Sequence, residues 1–168
     1  MENEVIKSLE IHATQAGSIP QIVGAWWKEI GPQSGTVASP GKLYAVGNYL
    51  IELVKNVLGD GKSNGDITVI FDEEKIKIII KDLGTEEKEI SLNVDGDYGM
   101  KEVIEYADVF MIEAMGNKYE KNHRNMIEET DDSDVRKGSR VTFIKYVGKP
   151  PVDEEEYTYR DRGFQSRM

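Results

Sequence analysis

Glu52 and Asn56 lie four residues apart in a stretch whose apolar residues recur at helical spacing, so a carboxylate and a carboxamide project from one helix face. Further along, Asp82-Leu83-Gly84 closes an apolar run, and Gly96-Asp97-Tyr98-Gly99-Met100 opens a helical pattern. Gly138-Ser139-Arg140-Val141-Thr142-Phe143 then enters another apolar run. A strand-terminal carboxylate accepts hydrogen bonds, a hydroxyl does either, and glycines opening a helix let its N-terminal amides face an anion. Taken singly, each feature is commonplace. E-x-x-x-N usually marks a solvated helix face, and D-x-G after a strand is usually a turn.

Three more familiar chemistries fail on spacing. Gly61-Lys62-Ser63 suggests a phosphate-binding P-loop, but the required preceding glycine falls at Asn56, inside a helical pattern, and the strand-loop-helix order is reversed. Asp60, Asn64 and Gly65 match part of a calcium loop. Its third position is Lys62, however, and its twelfth is Phe71, where the ion needs a bidentate carboxylate. His12 and His123 are the only histidines and are far apart, outside any metal or triad spacing.

The elements that must position the first set are legible from periodicity. Val5, Lys7, Leu9 and Ile11 alternate with Ile6, Ser8 and Glu10, which predicts a strand. Ser18 and Pro20 open a helix carrying Ile22, Val23, Trp26, Trp27 and Ile30, and Gly31-Pro32 is expected to stop it. Both tryptophans fall among aliphatic residues at helical spacing, which assigns them to the core. A second helix runs from about Pro40 to Leu58, with Leu43, Val46, Leu50, Ile51, Val54, Val57 and Leu58 on one arc. Asn48, Glu52 and Asn56 fall opposite that arc. Strands over 67–71 and 76–81 follow, joined by the turn Asp72-Glu73-Glu74. A short helix over 99–106 and strands over 109–114 and 140–147 complete the domain, with 117–138 read as a polar excursion. Amphipathic helices alternating with half-apolar strands call for an α+β, two-layer α/β sandwich with a mixed, mainly antiparallel sheet.

The order of these features resembles the N box and glycine boxes of the GHKL superfamily, the gyrase, Hsp90, histidine-kinase and MutL ATPases with the Bergerat fold. The spacing, and the run Gly99-Met100-Lys101-Glu102-Val103-Ile104 with Ala107-Asp108, is similar to the small bacterial anti-sigma-factor serine kinases. The resemblance covers roughly residues 1–147 and implies an ATP or ADP site with Mg²⁺. Asp82 would accept from the adenine amine, with Ser139 where the family usually has Thr. Gly84 would let the backbone approach the base, Gly96 and Gly99 would open the phosphate-facing helix, and Asn56 would ligate the metal. Glu52 would be the general base, acting on a substrate serine in the kinase branch. The implied partner is a sigma factor or a small anti-anti-sigma antagonist, and the implied assembly is a homodimer. The alternative is a non-catalytic protein-interaction module with a degenerate nucleotide site.

Departures from the family pattern bear on that alternative. Gly84 is followed by Thr85-Glu86 where a second glycine is usual, and the second box reads Asp97-Tyr98-Gly99. Between Gly84 and Gly99 stand Glu86, Glu87, Glu89, Asp95 and Asp97 against Lys88 alone, a composition that opposes closure over a triphosphate.

Composition bounds the rest. The 168 residues suit one domain with a genuine core, and the absence of cysteine excludes thiolate chemistry and disulfides. A net charge of −10 without a basic cluster argues against nucleic acid. With no leader pattern and no apolar span, a cytoplasmic protein without membrane attachment is expected. The segment 148–168, with Pro150-Pro151 and Glu154-Glu155-Glu156, reads as a flexible C-terminal tail.

Overall fold

The computed structural model describes residues 4–84, 98–114, 117–122 and 138–148. The first strand, β1 (Val5–Ile11), is followed by a 3-10 turn over Ala13–Ser18 and by α1 (Ile19–Gln33). Pro20 sits in the first turn of α1 as expected, but Ser18 makes no side-chain capping bond. Nor does Gly31-Pro32 stop the helix. The end comes at Ser34, whose hydroxyl donates to the Gly31 carbonyl at 2.6 Å.

α2 (Pro40–Leu58) has the predicted limits, for visible physical reasons. Ser39 caps it by accepting from the Lys42 amide at 3.1 Å, Pro40 occupies the first turn, and the Gly59 amide closes on the Lys55 carbonyl at 2.9 Å. Its buried stripe is Val46, Gly47, Leu50, Leu53, Val54, Val57 and Leu58; Leu43 and Ile51, counted on the arc from sequence, are only partly buried. α1 crosses α2 at Gly47. A Cβ there would stand 2.5 Å from the Trp27 ring, whose indole N–H donates to the Leu43 carbonyl at 2.9 Å. Trp27 also lies 5.8 Å from Phe71, ring to ring, which ties this helix pair to the sheet.

β2 (Gly65–Phe71) and β3 (Lys75–Asp82) form a hairpin; α3 (Tyr98–Tyr106), β4 (Val109–Ala114), β5 (Asn117–Asn122) and β6 (Ser139–Tyr146) follow. The six strands lie in the order β1-β2-β3-β6-β4-β5, and every described pair is antiparallel. The expected mixed sheet is corrected to this extent: β3 and β4 run the same way, but β6 lies between them. β5 is a second correction, since the sequence pattern predicts a polar excursion over 117–138 where the structure has a strand at Asn117–Asn122. Among the described residues it is an edge strand paired with β4, placing Tyr119 opposite Ile112 and Lys118 opposite Glu113.

The helices pack on one face of the sheet, giving the two-layer α+β architecture. Ile67, Ile78, Ile80, Val141, Phe143 and Phe110 from that face join the helix stripes in one continuous core. Burying such aliphatic and aromatic side chains stabilises by roughly 1.5–3 kcal/mol each, which fixes the strand register.

Candidate functional site

The sheet register brings two of the sequence-selected residues into direct opposition. Asp82, last in β3, is paired with Ser139, first in β6. The same cross-sheet row continues to Gly65 and Ile11 on one side and to Ala114 on the other. Alternation along the strands turns Asp82 and Ser139 toward the helix face, beyond the last apolar rung formed by Ile80 and Val141. They are 5% and 2% exposed, so a carboxylate and a hydroxyl share a nearly closed corner.

Two donors converge on Asp82 Oδ1: the Ser63 hydroxyl at 2.6 Å and the Gly84 amide at 2.8 Å. These bonds hold the carboxylate in one orientation. Burying a carboxylate is costly unless it is hydrogen-bonded, and here it is. Ser139 Oγ is different: among the described residues it is a buried polar atom with no hydrogen-bond partner. An orphaned hydroxyl of this kind costs roughly 1–3 kcal/mol. Such a group calls for a partner that the protein does not itself supply, a water, an ion or a ligand.

Glycine is required on both sides of the pair. Gly138 has φ +68°, and a Cβ there would lie 2.2 Å from the Asp82 carbonyl oxygen. At Gly84 a Cβ would stand 2.9 Å from Asp82 Oδ1 and 3.2 Å from Ser63 Cβ. What Gly84 accommodates, then, is the Asp82–Ser63 arrangement itself.

Ser63 was missed in the sequence, where it figured only in the rejected P-loop. It belongs to the 59–64 turn from α2 to β2, which is pinned at several points. The Leu83 amide donates to the Asn64 carbonyl at 2.9 Å, and Asn64 Oδ1 accepts from the Ala13 amide at 2.8 Å. Asp60 Oδ1 accepts from the Lys62 amide at 3.0 Å, an Asx turn rather than a calcium loop. The only sequence signal for Ser63 was its place in a short turn leading into the strand that pairs with β3.

Glu52 and Asn56 share a face of α2 at one-turn spacing, as expected, and α2 ends at the turn that carries Ser63. Their contacts stay on their own helix. Asn56 Nδ2 donates to the Glu52 carbonyl at 2.8 Å, and Glu52 lies 3.7 Å from Lys55 Nζ in a partly exposed i,i+3 pair. Gly99 falls in the first turn of α3, and Gly96 lies outside the described residues, as does the acidic segment 85–97. Among the described residues, no group of three or more His, Asp or Glu side chains is arranged to hold a metal ion. A metal at Asn56 would rest on its amide oxygen and on ligand oxygens.

No described helix is long and apolar enough to cross a membrane. The chain matches no protein-family model and no curated protein.

Proposed function

We propose that the chain is an adenine-nucleotide-binding regulatory protein, of the kind the GHKL resemblance implies, which controls a partner protein by binding it. The observation that carries this reading is the buried Asp82–Ser139 pair, with its fixed carboxylate and orphaned hydroxyl. A purine edge that offers an exocyclic amine beside a ring nitrogen suits such a pair. The carboxylate accepts from the amine, and the hydroxyl bonds the ring nitrogen directly or through a water. The residues present fit the base of the nucleotide better than its phosphates, since the segment that the resemblance assigns to the phosphates is acidic in sequence. A bound nucleotide supplies a transferable phosphoryl group. Asp82 and Ser139 orient its base and exclude water there, and Asn56 offers an amide oxygen to an accompanying Mg²⁺.

Two forms of this function differ at Glu52. In the kinase form its carboxylate takes the proton from a partner's serine hydroxyl. In the non-catalytic form the protein is a nucleotide-responsive interaction module. The contacts of Glu52 with Lys55 and of Asn56 with its own helix backbone favour the second. Incubation with labelled ATP and a lysate of the source cells separates them: a labelled protein that is lost with Glu52→Gln supports the kinase. ATP binding without transfer to any protein supports the module. A sigma factor or its antagonist, a homodimeric assembly and a cytoplasmic setting belong to the same proposal and rest on the resemblance.

A further inference from the structure

Asp82 Oδ1 takes two bonds of different origin. The Gly84 amide, two residues on, donates at 2.8 Å, a local bond of the kind an Asp-x-Gly turn makes by itself. The Ser63 hydroxyl donates at 2.6 Å from a separate element. That short distance is typical of an O–H donor on a charged carboxylate. The terminal torsion of an aspartate is broad, so one local bond leaves the plane of the group free to swing. A second donor from elsewhere in the fold fixes it.

The place of Ser63 is set from both sides. It is half-buried in the turn between α2 and β2. Before it, the Gly61 amide donates to the Leu58 carbonyl at 3.3 Å, and the Lys62 amide donates to Asp60 Oδ1 at 3.0 Å. Gly61 has φ +71°, which favours glycine there. After it, Asn64 is tied twice. Its carbonyl accepts from the Leu83 amide at 2.9 Å, and its side-chain oxygen accepts from the Ala13 amide at 2.8 Å. The end of α2, the exit of β3 and the β1–α1 connection thus all hold this turn. A serine needed only by the turn would bond within it, as Asp60 does. Ser63 reaches out of it to a buried carboxylate instead.

On the adenine-nucleotide reading above, on which this depends, we propose that Ser63 is a positioning residue. It sets the plane of the Asp82 carboxylate and so governs discrimination between purines bearing an exocyclic amine and those bearing an exocyclic oxygen at the same position. An ionised carboxylate only accepts hydrogen bonds. Held in one plane, it pairs with the amine of an adenine edge and meets the oxygen of a hypoxanthine edge acceptor to acceptor. A site built around one donor rejects the analogue that lacks it. Without the Ser63 bond the carboxylate swings, and the difference between the two bases shrinks.

Equilibrium titrations of the full-length protein with ATP and with inosine triphosphate, each with Mg²⁺, test this. They compare the wild type, Ser63→Ala, Ser63→Thr and Asp82→Ala, with a urea midpoint for each. The wild type should prefer ATP. Ser63→Ala should weaken ATP by about three- to ten-fold and leave inosine triphosphate nearly unchanged, so that the preference falls. Ser63→Thr keeps the hydroxyl and should keep the preference. A merely structural serine would lower the urea midpoint and weaken both nucleotides alike, which overturns the proposal. An unchanged preference in Ser63→Ala, or the same loss in Ser63→Thr, also overturns it. If Ser63→Ala does not fold, Ser63→Cys, close in shape with a weaker donor, carries the same expectation. If Asp82→Ala loses ATP while Ser63→Ala keeps the wild-type preference, the nucleotide reading stands and the positioning role falls. If the wild type binds neither nucleotide, both fall.

Discussion

At the scale of single residues, the account rests on a contrast between two neighbours. Asp82 is satisfied by Ser63 and Gly84, whereas the Ser139 hydroxyl is buried without a partner among the described residues. Removing an orphaned polar atom relieves its desolvation cost. Ser139→Ala should therefore leave stability unchanged or raise it by up to about 1 kcal/mol in urea denaturation, while adenine-nucleotide affinity falls. A purely structural serine would show loss of stability and no effect on affinity. Gly138 gives the opposite expectation. Gly138→Ala places a side chain at positive φ and against the Asp82 carbonyl, so stability should drop by more than about 1 kcal/mol. The places of Asp82 and Ser139 at strand ends were legible in the sequence, because each flanks an apolar run. Ser63 was not, since a turn residue gives no periodicity and its role depends on a strand pairing that sequence spacing does not state.

At the scale of elements, α2 was legible to the residue because Ser39-Pro40 and Gly59 are physical start and stop signals around a clear apolar arc. The end of α1 was not: Gly31-Pro32 is a stop signal, yet the helix runs through the proline to Gln33 and closes where Ser34 bonds back to the Gly31 carbonyl. β5 escaped because edge strands draw their stability from backbone pairing with one neighbour, and its residues carry no alternating pattern. The crossing of α1 and α2 yields a further prediction. Gly47→Ala forces the Trp27 ring to move and should cost roughly 1–3 kcal/mol, read as a lowered urea midpoint.

α3 contributes a pH dependence. Burial, then Tyr49, then Asp108 raise the Tyr106 hydroxyl above its ordinary value of 10.0. The folded state thus holds that proton more tightly than the unfolded chain. The resulting stability is fully present below pH of about 10 and is lost as pH rises through the raised value. Urea midpoints of the wild type and Tyr106→Phe, compared at neutral and strongly alkaline pH, should show the wild type losing more. Equal losses would mean the hydroxyl is not protected.

At the scale of the whole molecule, the two-layer sandwich followed from amphipathic helices and half-apolar strands. The strand order did not, because placing β6 between β3 and β4 is decided by contacts far apart in sequence. That insertion builds the site, since it sets Ser139 opposite Asp82 at the end of the helix-covered face. The central claim is that this corner receives an adenine nucleotide. Calorimetric titration of ATP with Mg²⁺ into the wild type and Asp82→Ala tests it most directly. The account predicts measurable binding to the wild type and a loss of roughly ten- to a hundred-fold in Asp82→Ala, the scale of one charge-assisted hydrogen bond. No heat with the wild type at millimolar ATP, or equal binding by Asp82→Ala, would contradict it.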